Sequence, residues 1–320
     1  MNINDPALPN YVRPEAVAVR PDLDQMADLI AGTRRMWAQA EPRKFIRKWS
    51  KEKSAVYAMR SQGETVLEGL GRVLSASVGM LFAKPPVMEW QQSEAALEED
   101  WDNLDGMGTA GPVLAKRFAE RAVRDGIGLI LVDHPQAPEG TVVTAANEKA
   151  LGLRPTWALY QRAQIVSWRC DMVDNHLCLT QLVLEECSRE PTGAYGVADV
   201  TRYRVLKLTA AAEGGRIATW ELWRATKDTG AGGFALEKAG TFRNRAGEAA
   251  ERRPVAIAYT GRTDAPMCAT LPLLGVAWAN LSHWQLSTIL RFSKEVAAYA
   301  QPVVIGQLAP VAGANGATGP

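Results

Sequence analysis

The chain has almost no surplus charge of either sign. Its 320 residues hold 36 lysines and arginines against 35 acids, for a formal net charge of +1. Tight binding to nucleic acid draws on a basic excess concentrated on one face, so that function is not expected, whereas a surface that nucleic acid slides past is compatible. Histidine is scarce, with three in all. The four cysteines, Cys170, Cys178, Cys187 and Cys268, form no CxxC pair. With no signal-peptide pattern in the opening MNINDPALPNYVRPEAVAVRPD, they suit a reducing cytoplasm. No uninterrupted apolar run reaches about 18 residues, so no membrane-spanning segment is expected. G-x-S-x-G, P-loop and H-E-x-x-H motifs are missing as well. His176, Cys178 and Cys187 lack metal-ligand spacing, His134 sits in a turn-like VDHP, and His283 belongs to a long helical pattern. No catalytic residue, metal ligand or cofactor is assigned.

What is present is an ordinary globular balance, 47% apolar and 22% charged, with ten tryptophans, six of them from Trp157 to Trp284. Residues 1–21 carry Pro6, Pro9, Pro14 and Pro21 and read as an extended arm. A helical pattern starts at Asp22, with Leu23, Met26, Ala27, Ile30 and Met36/Trp37 recurring every three to four residues. The basic RKFIRKWSKEK reads as the solvated face of a helix, with a phosphate-contacting patch as its alternative. Val66, Leu67, Leu70, Val73, Leu74, Ser77, Val78 and Leu81 make a wide stripe on a helix that stops before Pro85-Pro86. Another helix, PVLAKRFAERAVRDG, has Pro112 for its first turn and Gly126 for its C-cap.

The period then changes from helical to extended. GIGLILVDHP reads as a buried strand, and TVVTAA, WALYQRAQIVSWR, LCLTQLVLEEC, RYRVLKLT, RIATWELWRA, FALEKAG and PVAIAYTG follow between turn signals. That order describes an antiparallel meander without a βαβ unit. The expected fold is α+β, with residues 22–268 forming one helix-and-sheet domain.

GMGTAG, residues 106–111, fits G-x-G-x-x-G, and a nucleotide-dependent enzyme using this loop is the alternative functional class. A dinucleotide cradle needs a buried strand before the loop, and the acidic EEDWDNLD stands there instead.

Residues 269–302 read as one long amphipathic helix. At about 100° per residue, Leu274, Trp278, Leu281, Ile289, Phe292, Val296 and Tyr299 share an arc, with Trp284 at its margin. Asn280, His283, Ser287, Arg291 and Lys294 oppose them, and Gln285 and Thr288 interrupt the apolar side. A core helix across a sheet and a helix packed on neighbouring helices both fit this pattern. Residues 303–320 read as a short strand and a Gly/Ala/Pro-rich tail.

Five ordered blocks over about residues 20–308 resemble the portal proteins of tailed bacteriophages, in particular a group known mainly as a domain of unknown function. They are VLEGLGRVLSASVGMLFAKPP, LDGMGTAGPVLAKRFAERAVRDGIGLILVDHP, RPTWALYQRAQIVSWR, TRYRVLKL and LPLLGVAWANLSHWQLSTILRFSKEVAAYAQPVVIGQL. The resemblance implies a non-enzymatic virion protein at a capsid vertex, assembled in the host cytoplasm as a ring of about twelve copies; another head-completion or connector structural protein is the alternative within the same class. The helix-and-sheet domain would be its wing and the long helix its stem. Implied partners are copies of the chain, terminase, capsid and scaffold proteins, connector and tail proteins, and double-stranded DNA passing without sequence specificity; no membrane and no cofactor are implied. Leu274, Trp278, Leu281, Phe292, Val296 and Tyr299 are then expected to pack subunits. Asn280, His283, Ser287, Arg291 and Lys294 would face channel or solvent. Family members usually continue into a clip and a second long helix, so the end after GQLAPVAGANGATGP reads as a possible truncation point.

Overall fold

Proline at the start of a helix costs nothing, because its missing N–H would be unpaired there anyway and its ring already holds a helical φ. In the computed structural model Pro14 plays this part, and helix α1 (Pro14–Ala31) begins eight residues before the expected start at Asp22. The structure describes residues 5–38, 45–62, 64–87, 101–133, 153–173, 175–211, 215–226, 233–243 and 248–299. The extended arm is therefore shorter than expected. Pro21 lies within α1, where it removes one backbone hydrogen bond without ending the helix, because Leu23, Met26 and Leu29 beyond it are buried. Gly32, at φ +81, closes α1 with its N–H on the carbonyls of Asp28 and Leu29. Helix α2 (Thr33–Trp37) follows at once.

From Phe45 to Lys53 the basic segment is turn and coil, not the helix expected of it. Ile46 is buried there, and the adjoining helix α3 (Ser54–Gln62) returns Arg60 to this segment. Helix α4 (Gly69–Leu81) buries Leu70, Leu74 and Val78. Its stripe is narrower than the sequence implied, since Leu67, Val73 and Leu81 are exposed. Helix α5 (Gly111–Asp125) has its proline in the first turn and ends on Gly126 in the left-handed region, as expected.

Strand β1 (Ile127–Asp133) is apolar from Ile127 to Val132 because it is covered on both faces, and ends on Asp133. Ile127, Leu129 and Leu131 join one core cluster. On the other face Gly128 lies under α5, where an added Cβ would come within 2.8 Å of Phe118 and 2.9 Å of Ala122. β1 is the centre of a three-stranded sheet, flanked by β2 (Thr156–Tyr160) and β8 (Val255–Tyr259). WALYQRAQIVSWR is thus two strands in different sheets, broken by a 3-10 turn at Arg162–Gln164. PVAIAYTG leaves the meander to pair with β1.

The second sheet is the expected meander, in sequential order β3 (Ile165–Val173), β4 (His176–Thr192), β5 (Gly196–Ala210), β6 (Arg216–Ala225) and β7 (Phe234–Thr241). A short pair, β9 (Thr263–Ala265) and β10 (Cys268–Ala269), precedes the last described helix. Every strand pairing among the described residues is antiparallel, so the fold is α+β.

Alternation divides the meander's side chains between two faces. Leu182, Leu184, Leu206 and Ala218 join β1 in the inner core, while Val166, Val183 and Val205 make a smaller cluster on the outer face. Part of the N-terminal arm lies over that outer face: Val12 packs on its valines, and the Arg13 N–H donates to the Val166 carbonyl. A third cluster unites α1, α2 and α4 with helix α6 (Leu274–Ala298). TVVTAA, His134 and the segment 300–320 lie outside the described residues.

Candidate functional site

Helix α6 runs for 25 residues, within the expected bounds 269–302 but shorter than them. Its buried residues are Ala277, Asn280, Leu281, Trp284 and Thr288, whose spacing of three and four makes one continuous stripe. That stripe is rotated from the apolar arc expected from the sequence. The cause is hydrogen bonding to backbone groups that regular structure leaves unpaired. The first N–H groups of α4 have no partner inside their own helix, and Glu68 before them caps none with its side chain. Asn280 Oδ1 accepts from Leu70 N–H at 3.2 Å. Asn280 is therefore buried against α4, which corrects its assignment to a solvent or channel face.

The same logic places two more polar groups of α6, on Trp284 and Gln285, inward. Trp284 Nε1 donates to the Glu64 carbonyl at 3.1 Å, and Trp37 Nε1 donates to the same oxygen at 3.3 Å. Gln285 Nε2 donates to the Phe45 carbonyl, and the Thr288 hydroxyl donates to the Gln285 carbonyl within its own turn. Irregular backbone at 45 and 64 has to find partners, and α6 supplies them.

The other expected packing residues divide. Leu281 is buried and Leu274 is half-buried in the same cluster. Phe292 stacks edge-on against Trp49 of its own chain, ring centroids 6.2 Å apart. Trp278 is 49% exposed, and Val296 and Tyr299 are also exposed. Of the expected wet residues, His283, Lys294 and Arg291 are exposed, Ser287 is half-buried, and Arg291 pairs with Glu295 one turn on. Leu286, Ile289 and Leu290 are exposed too. One face of α6 thus holds the N-terminal helices, and a second apolar face meets solvent.

A buried ion pair braces the segment beneath Phe292. Arg60 meets Glu52 through two hydrogen bonds of 2.8 and 2.9 Å and donates to the Arg47 carbonyl, with its guanidinium 4.1 Å from the Trp49 ring centroid. The hydrogen bond from Arg60 holds the Glu52 carboxyl below the usual carboxylate range, against the opposing effect of burial.

A second polar group joins the two sheets. Tyr160 OH donates to Glu186, Arg204 binds Glu186 and also Asp133 at 3.0 Å, and the four side chains span β1, β2, β4 and β5. Burial, reinforced by the Glu186 charge, raises the Tyr160 phenol, which stays neutral and donating.

The GMGTAG loop is not built as a phosphate cradle. Met107 and Thr109 donate their N–H groups to Asp105 Oδ1 at 2.9 and 3.0 Å, and Gly108 donates to Asn103 Oδ1. The carboxylate stands where a phosphate would need to be. Burial opposes its ionisation, but the hydrogen bonds from Thr109 and Met107 hold the Asp105 carboxyl below its usual range. At Gly111 the indole of Trp101 occupies the space a side chain would take, against the start of α5. Among the described residues no group of three or more His, Cys, Asp and Glu could hold a metal ion, and no helix is long and apolar enough to cross a membrane. Cys178 is half-buried near the Arg216 guanidinium, Cys187 is exposed, and His176 is exposed at the head of β4. No protein-family model matches the chain, and no curated protein matches it.

Proposed function

We propose that this chain is a structural subunit that assembles side by side with copies of itself into a portal-like ring, a passage for double-stranded DNA at a capsid vertex. The observation that carries the reading is the second face of α6, where Trp278, Leu286, Ile289, Leu290 and Val296 stay exposed although the first face is fully engaged. Contiguous apolar surface of that kind marks an interaction site. A closed ring of one chain provides for such a surface without requiring a different protein. The ordered resemblance to portal proteins supports the same reading, with the sheets as wing and α6 as stem. Near-neutral charge agrees with passage, since a channel that let DNA slide would not hold many phosphates. In such a ring terminase, capsid and tail components would dock on the assembled particle.

The test is particle mass and shape. Light scattering and electron microscopy of the purified chain are expected to show closed rings of many copies. A protein that stays monomeric up to tens of micromolar under capsid-assembly conditions would overturn the reading.

A further inference from the structure

Basic charge is spread unevenly along the chain. From residue 33 to 62 the sequence holds nine lysines and arginines against two acids, whereas the other 290 residues hold 27 against 33. The near-neutral total thus conceals one local excess. Part of it is gathered in a single loop, where Arg47, Lys48, Lys51 and Lys53 lie within seven residues and are all exposed. Among the described residues none of the four joins an ion pair, and Lys48 Nζ donates to the Ser54 hydroxyl at 3.2 Å.

The loop is fixed from its inner side. The Tyr57 hydroxyl donates to the Ile46 carbonyl at 2.7 Å, Arg60 to the Arg47 carbonyl at 2.8 Å, and Gln285 of α6 to the Phe45 carbonyl at 2.6 Å. Glu52, the one acid from 45 to 53, is turned inward with its side chain 2% exposed. It is taken up there by Arg60 and by the Trp49 N–H. Glu295, on the helix whose Phe292 meets Trp49, is engaged by Arg291. Like charges held close repel one another, and here buried hydrogen bonds hold them close, an arrangement that a partner of opposite sign relieves.

We propose that the 47–53 loop is a contact surface for the phosphate backbone of duplex DNA. The inference rests on the DNA-passage reading for its choice of partner and adds which residues touch the duplex. Duplex DNA carries one negative charge per about 1.7 Å of its axis, so four cations with no outward acid between them fit it in any register. Three of the four are lysines, point charges on flexible stems that do not demand the planar geometry of an arginine fork. Such contacts carry no sequence information and can pass from phosphate to phosphate as the duplex advances. Four of them hold weakly. At a slope of about 0.9 per contact, affinity falls about a hundredfold between about 0.05 and about 0.2 M salt. The folded segment therefore favours the phosphate-contacting alternative for RKFIRKWSKEK, because over 45–53 there is no helix whose solvated face would account for the charge.

The test is fluorescence anisotropy of labelled duplexes mixed with the full chain, with light scattering on the same samples. Two duplexes of unrelated sequence are expected to bind within about twofold of each other, and to be released as salt rises. Lys51→Gln combined with Lys53→Gln removes two of the four contacts and should about halve the slope of log affinity against log salt. Lys116→Gln combined with Lys238→Gln, two exposed lysines on α5 and β7, changes net charge equally and should leave the slope in place. All four sites are on the surface, and circular dichroism checks that each variant is folded. An equal loss in both double variants would assign binding to net charge and overturn the loop as its site. A preference above about tenfold for one sequence would rule out backbone contact. Sedimentation with vesicles rich in phosphatidylserine, while duplex DNA stays unbound, would assign the loop to a lipid surface and reject DNA as its partner. Rings that bind no DNA would sink this inference and leave self-assembly standing, whereas DNA binding by a monomer would do the reverse.

Discussion

Single residues here are explained mainly by which backbone group they satisfy. Asn280 reads as a wet-face residue on a helical wheel, yet it is buried because the start of α4 has an unpaired N–H at Leu70. Replacing Asn280 with alanine is expected to cost about 1–2 kcal/mol, the loss of a capping hydrogen bond, measured by urea denaturation. The Glu52–Arg60 pair has a different origin, a charge held beneath aromatic rings. Glu52→Gln is expected to destabilise by about 2 kcal/mol, below the roughly 3–5 kcal/mol of deep pairs because the covering Trp49 is itself partly exposed. The pH dependence follows from the depressed carboxyl. A group whose folded pKa lies below its unfolded value, about 4.3 for glutamate, stabilises above that value and stops doing so as pH falls through the folded pKa. The stability gap between wild type and Glu52→Gln should therefore be full at about pH 6 and shrink toward about pH 3. A gap that widens on acidification would contradict the assignment.

At the level of elements, close approach and edge pairing decide what local pattern leaves open. α5 packs on β1 at the one place where a side chain is missing. Gly128→Ala is expected to cost about 1–3 kcal/mol by overpacking against Phe118 and Ala122, and Phe118→Leu in the same chain should restore part of it. Thermal denaturation of the single and double variants reads this directly. Legibility at this scale was uneven, for physical reasons. Pro112 and Gly126 announced both ends of α5, because their backbone restrictions are local. Pro21 misled, since tertiary burial of the turns after it outweighs one lost hydrogen bond. The break between β2 and β3 was illegible in WALYQRAQIVSWR, because neighbouring apolar runs look alike whichever sheet they enter.

The described residues form a helical group, two larger sheets and the short β9–β10 pair, with one long helix engaged on a single side. On the self-assembly reading, a charge on the open side should disrupt the particle and spare the subunit. Leu290→Asp is expected to shift rings to monomers by light scattering, with circular dichroism unchanged. Phe292 is the wrong place for that test, because its ring rests on Trp49 in the same chain and a charge there would disturb the subunit itself. Composition and periodicity alone determined the α+β class, the antiparallel order of the meander, the buried β1 and a long helix within 269–302, since each depends on residues close in sequence. Only the tertiary structure decided that Asn280, Trp284 and Thr288 face inward, that β8 pairs with β1, and that Asp105 fills the glycine-rich loop. For Asn280 and Trp284 the outcome depends on backbone groups at Leu70 and Glu64, far off in sequence, and a helical wheel carries no information about them.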